Sequence, residues 1–237
     1  MNVLVGTSGW SYKEWKGSFY PADLRADDML RHYATRLPAV EINNSFYRIP
    51  KEKVLLEWAE QTPAGFRFVL KASRRITHIS RLADEDGSLA YFLRTVNVLG
   101  EKLGPTLFQC PPSFKKDMAR LSDFLGRVPR TWRAALEFRH ASWFDDDVYQ
   151  ALRAHDVALV AVDEDEGATP LVPTASWGYL RLRRTEYPND ALQSWAGRIE
   201  GQPWKEAFVF LKHEEDSPAG PASATRLLAL LTPPPSS

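Results

Sequence analysis

The decapeptide ALEFRHASWF, at 135–144, puts Glu137, Arg139 and His140 at the end of an apolar run. In an extended strand Glu137 and Arg139 share one face, and Leu136 and Phe138 share the other. The arrangement recurs. Glu41 and Asn43 close AVEIN, Lys71 closes FRFVLK, Gln109 closes TLFQ, Asp163 follows VALVAV, and Arg181 lies within WGYLRLR. Two carboxylates such as Glu41 and Glu137 can divide acid and base roles where their surroundings push their pKa values apart. That chemistry would be proton transfer of the hydrolase or lyase type. Lys71, Arg139 and Arg181 suit a phosphate or carboxylate, the arginines through a bidentate fork. Trp10, Tyr12 and Trp143 are the aromatic walls expected for such a pocket, and Asn43, Gln109, His140 and Asp163 its further polar contacts. The competing reading makes these charges a buried network that only neutralises itself.

These residues need elements that bring strand ends together. Eight short apolar runs read as strands: NVLVGTS, AVEIN, FRFVLKAS, TLFQCP, RAALEFRH, VALVAVDE, WGYLRLR and AFVFLKH. Helical spacing fills most of the gaps, as in DDMLRHYATRL, KEKVLLEWAEQT, SLAYFLRTVNVLGEKLG, KDMARLSDFLGRV, DDDVYQALRAHD, DALQSWAGRIEG and ASATRLLALL. The gap after the sixth strand, DEGATPLVPTAS, has two prolines and no helical period, so an irregular loop is expected there. Strands alternating with helices predict a parallel sheet. Eight repeats in 237 residues predict an α/β fold of the (β/α)8 TIM-barrel type. An open doubly wound sheet is the rival, but GTSGWSYKEWKG lacks the G-x-G-x-x-G spacing. One domain over 1–231 and a disordered tail over 232–237 are expected. In a barrel the quoted polar residues fall at the C-terminal mouth, where active sites are built.

Composition excludes several classes. Thirty basic and thirty acidic residues cancel, so net charge gives no support to non-specific nucleic-acid binding. A local rim remains as the alternative function: Arg74 and Arg75, Lys115 and Lys116, and Arg183 and Arg184 would flank the mouth with Trp and Tyr between them. Cys110 is the only cysteine, which fits a reducing compartment. No basic, apolar leader and no run of membrane-span length is present, so a cytoplasmic chain without membrane contact is expected. His78, His140 and His213 lack metal-ligand spacing, and three cations stand near them, so no metal and no other cofactor is expected. Cys110 reads as a small buried hydrophobe. Ser8, between Gly6 and Gly9, reads as a hydrogen-bond donor at a tight turn.

Five ordered blocks, GTSGWSYKEWKGSFYP, VEINNSFYRIP, KASRRITH, LFQCPPSF and LEFRHASWF, resemble the signature blocks of the DUF72 or YecE-like family. The resemblance runs from Val5 to about Ile199. It implies a TIM barrel of bacterial or archaeal type, with no established biochemical function. The positions that match are Gly9, Trp10, Tyr12 and Trp15; Glu41, Asn43, Phe46 and Tyr47; Lys71; Gln109 and Pro112; and Glu137, Arg139, His140, Trp143 and Phe144. The chain departs at 181–184, where RLRR replaces an RLHG-like end, and at 210–220, where FLKHEEDSPAG replaces an aromatic, asparagine-rich run. The missing histidine weakens any metal role on that side. The expectation is a small polar or phosphate-bearing ligand held, and acted upon, at the mouth.

Overall fold

A computed structural model describes residues 1–83, 87–212 and 219–232. The strands are β1 (Asn2–Ser8), β2 (Ala39–Ile42), β3 (Arg67–Lys71), β4 (Leu103–Gln109), β5 (Ala134–Glu137), β6 (Ala158–Glu164), β7 (Gly167–Ala168), β8 (Trp177–Leu182) and β9 (Glu206–Leu211). All but β7 are parallel neighbours in a ring, closed where β9 pairs with β1 and β5 with β6. Closure leaves the ring without an exposed edge. β7 folds back antiparallel on the end of β6 and belongs to the rim.

Among the described residues six α-helices lie between strands, α1 (Met29–Tyr33), α2 (Glu52–Glu60), α3 (Ser88–Val96), α4 (Met118–Arg127), α5 (Asp146–Ala154) and α6 (Asn189–Glu200), and α7 (Ala219–Leu231) follows β9. The sixth connection has no helix, as its prolines predict. Thr174 pins it instead, donating to the Val157 carbonyl and accepting from the Leu159 amide. The fold is therefore a (β/α)8 barrel with an irregular connection after β6. The helix expected over 88–104 stops at Val96, and a 3-10 stretch, Asn97–Lys102, carries Gly100 at φ 53°. That left-handed φ favours glycine. The tail expected over 232–237 lies beyond the described residues except for Thr232, as does most of the divergent stretch at 210–220.

Alternation along each strand makes two apolar layers. Val5, Val40, Phe68, Phe108, Leu136 and Leu180 face the helices. Leu4, Ala39, Val69, Leu107, Ala135, Tyr179 and Phe208 face inward and fill the barrel. The next inward positions are Glu41, Lys71, Gln109, Glu137 and Arg181, two residues beyond Ala39, Val69, Leu107, Ala135 and Tyr179. The apolar plug is thus the floor on which the polar layer stands.

Close strand approach constrains the wall. A Cβ on Gly6 would stand 2.0 Å from the Ala39 carbonyl oxygen. Gly6→Ala is expected to cost about 1–3 kcal/mol, the scale of overpacking. Gly65→Ala, whose Cβ meets nothing within 4 Å, is expected to change stability by less than about 0.5 kcal/mol. Urea denaturation of the two variants checks the contrast.

Candidate functional site

Arg181 organises the mouth. Its guanidinium donates to Glu41 through Nε (3.0 Å to Oε2) and Nη2 (2.8 Å to Oε1), and to Glu137 Oε2 through Nη1 (2.8 Å). All three side chains are buried. Glu41 also accepts from Ser8 Oγ at 2.8 Å, Tyr179 OH at 2.7 Å and Asn43 Nδ2 at 3.0 Å. Glu137 accepts from Gln109 Nε2 at 2.7 Å and Arg139 Nε at 3.1 Å. On the other side of Gln109, Lys71 Nζ donates to Oε1 at 2.7 Å and stands 4.4 Å from the centre of the Phe46 ring. Ser8, Tyr179 and Phe46 were not among the expected site residues. The period-two pattern Trp177, Tyr179, Arg181 contains the signal for Tyr179.

Five of the six expected charges therefore meet: Glu41, Lys71, Glu137, Arg139 and Arg181. Asp163 does not, and this corrects the sequence reading. Val162 faces inward, so Asp163 points out to the helix layer. There it accepts from Arg184 (3.0 Å), Tyr187 OH (3.0 Å) and Trp195 Nε1 (2.9 Å). Trp143 is a second correction. It is fully buried, stacks on Phe138 with ring centres 4.2 Å apart, and donates to the Phe114 carbonyl. It is core and not a pocket wall. His140 lies in the following turn, where Nδ1 meets Ser142 Oγ at 2.9 Å, so it orders the loop beside the mouth network. Trp10 and Tyr12 do line a cleft of about 340 Å³, with Ile42, Asn43 and Trp58. Asn43 Oδ1 is buried there without a hydrogen-bond partner.

Among the described residues, no group of three or more His, Cys, Asp and Glu side chains is placed to hold a metal ion. His213 lies outside them. Cys110 is buried, and desolvation raises its thiol pKa, which disfavours the thiolate. No described helix is long and apolar enough to cross a membrane.

A family model described as "Protein of unknown function DUF72" matches residues 4–236. The chain belongs to the DUF72 family. Its curated relatives include UPF0759 protein YunF of Bacillus subtilis (strain 168), 28% identical over 232 residues, covering 90% of this chain and 79% of that one. UPF0759 protein YecE of Escherichia coli (strain K12) is 29% identical over 143 residues, covering 60% of this chain and 50% of that one. A solved DUF72 family protein (TM1631) from Thermotoga maritima MSB8 superposes with a TM-score of 0.84 at 27% identity, covering 98% of this chain and 99% of that one. One from Enterococcus faecalis V583 (EF0366) gives 0.80 at 20% identity, covering 97% and 95%, and so shares the fold.

In this DUF72 protein the electrostatics separate two kinds of group. Burial alone would raise the pKa of Glu41. The Arg181 charge and the bonds from Arg181, Tyr179 and Ser8 outweigh it and hold Glu41 down to about 2. The same contest, with Arg139 and Gln109 assisting Arg181, lowers Glu137. Both are carboxylates at neutral pH and have no proton to give. Lys71 is lowered too, which for an amine favours the neutral form. Burial, then the Arg181 charge, brings it down to about 8 against the pull of Glu137 and Glu41. Arg183, half-buried at the rim, is lowered by burial and by Arg181.

These shifts fix the pH dependence. A carboxyl lowered by folding stabilises the native state above its unfolded pKa and loses that stabilisation as pH falls toward the folded value. For Glu41 the window runs from 4.5 down to about 2. Acid unfolding followed by circular dichroism is expected to steepen there, and Glu41→Gln to flatten the slope. Arg181→Met strands two buried carboxylates and is expected to cost about 3–5 kcal/mol, read by urea denaturation.

Proposed function

We propose that this DUF72 protein binds a small ligand bearing a phosphate or carboxylate at the barrel mouth, held by Lys71 and Arg139. One observation carries the reading. The two buried carboxylates are already engaged by Arg181, whereas Lys71 has no carboxylate within 4 Å among the described residues. Arg139 spends Nε on Glu137, stands 3.8 Å from Glu164 through Nη2, and keeps its side chain 37% exposed. Around the mouth four cations, Lys71, Arg139, Arg181 and Arg183, meet four carboxylates, Glu41, Glu137, Glu164 and Glu166, so the charges there balance in number. A cleft of about 440 Å³ beside Arg139, bordered also by Thr169, Glu137, Glu164 and Glu166, has the size of a small-molecule site; Lys71 does not line it.

In this reading Glu41 and Glu137 are positioning residues that hold Arg181. They do not form an acid–base pair, because acid catalysis needs a proton available at the working pH.

A nucleic acid lying across the rim has less support. Lys116 is taken by Asp145 at 2.6 Å and Asp147 at 3.1 Å, and Arg184 by Asp163 at 2.8 Å.

Calorimetric titration with inorganic phosphate, pyrophosphate and citrate tests the proposal. Lys71→Met and Arg139→Met are each expected to weaken binding about tenfold, the worth of one charge-assisted bond. Lys205→Met, at the opposite end of the barrel, is expected to leave it unchanged. Equal affinity in all variants would overturn the reading. So would an absence of anion binding beside oligonucleotide binding that falls steeply with salt.

A further inference from the structure

We infer that Lys71 is a nucleophilic amine that condenses with the aldehyde or ketone carbonyl of an anionic ligand, forming an imine. The ligand's charge rests on the anion-binding reading above; the reactivity of the amine rests on its own surroundings.

Those surroundings differ from those of the chain's structural lysines. Lys116 is bound by two aspartates, and Lys102 is capped by the carbonyls of Ala59 and Thr62. Among the described residues Lys71 has one hydrogen-bond acceptor, the neutral Gln109 Oε1 at 2.7 Å. That amide is itself fixed, because its Nε2 donates to Glu137 Oε1 at 2.7 Å. Gln109 aims the amine without the full counter-charge a carboxylate would supply. Phe46 stands beside it, 4.4 Å from Nζ to the ring centre, a cation–π contact that favours the ammonium, and the same ring meets His78 edge-on at 4.8 Å. The charged groups around Nζ are Arg181 and Arg139, which disfavour a further cation, and Glu137 and Glu41, which favour one. His78 adds no settled positive charge, since burial and then the charges of Lys71 and Arg139 lower its pKa. Lys71 is half-buried. A lysine nucleophile must shed its proton near neutral pH, and a desolvated site next to other cations is one way to achieve this. Here the balance brings Lys71 to about 8, so about half the amine is neutral at pH 8.

The step balances without an oxidant or co-reactant. The nitrogen lone pair of the neutral amine attacks the carbonyl carbon and forms the C–N bond. The π electrons of the C=O bond move to oxygen. Both amine protons then leave with that oxygen as one water, and the nitrogen lone pair closes the C=N bond. Arg139 stands in the same mouth to hold the ligand's anionic group.

Pyridoxal 5′-phosphate serves as the anionic aldehyde probe and pyridoxal as its phosphate-free twin. The full-length protein is incubated with each, reduced with borohydride, digested and read by peptide mass spectrometry. Pyridoxal 5′-phosphate is expected to label Lys71 about tenfold faster than the exposed Lys53 and Lys205, because a lower pKa leaves more neutral amine. Labelling is expected to rise with pH through about 8, and inorganic phosphate is expected to slow it. Lys71→Arg, which keeps the positive charge, is expected to retain phosphate binding and lose the fast label. If Lys71 labels no faster than Lys53 and Lys205 while phosphate binding still depends on Lys71, the nucleophile is overturned and the anion site stands. If both aldehydes label Lys71 equally fast and phosphate does not compete, the nucleophile stands and the anion site falls.

Discussion

The guanidinium of Arg181 between Glu41 and Glu137 is the interaction on which the mouth depends. It ties β8 to β2 and β5, strands that do not neighbour β8 in the ring. Taking three charges out of water costs several kcal/mol per ion. The structure offsets that cost with hydrogen bonds from Ser8, Tyr179, Asn43, Gln109 and Arg139 to the two carboxylates. Each donor comes from a different strand or strand end, so the network needs the barrel closed in one register.

That use of the carboxylates decides what is left for a ligand. With Glu41 and Glu137 occupied, Lys71 is left with no carboxylate within 4 Å among the described residues, while Arg139 is shared between Glu137 and Glu164. The same Arg181 that holds the glutamates ionised also disfavours the Lys71 ammonium. One buried arginine thus holds both glutamates and adds to burial, the larger cause, in lowering Lys71. The apolar plug below, with Tyr179 and Phe208 among its members, keeps water from the underside and strengthens each of these interactions.

Much of this was legible in the residues. Strand count, helical gaps and the prolines after β6 pointed to the barrel, and alternation in ALEFRH placed Glu137 inward with Leu136 and Phe138 outward. Where the reading failed, it failed at strand ends. Asp163 closes a continuous apolar run in which both faces are buried, so period two gives no phase, and only the register with β8 turns it outward. Trp143 lies five residues beyond Phe138 on a turn, and its stacking on that ring depends on loop geometry. His140 is drawn into the same turn by Ser142.

The sequence by itself determined the architecture and the family, because apolar periodicity and ordered blocks are local properties of the chain. It also determined which residue types reach the mouth, because an inward residue two positions beyond a plug residue must rise above it. Only the tertiary structure decided how those residues pair. Arg181 lies 140 positions from Glu41 and 44 from Glu137, and no local pattern records that the three converge. Pairing in a closed barrel follows strand order and register, and those are settled when the last strand meets the first.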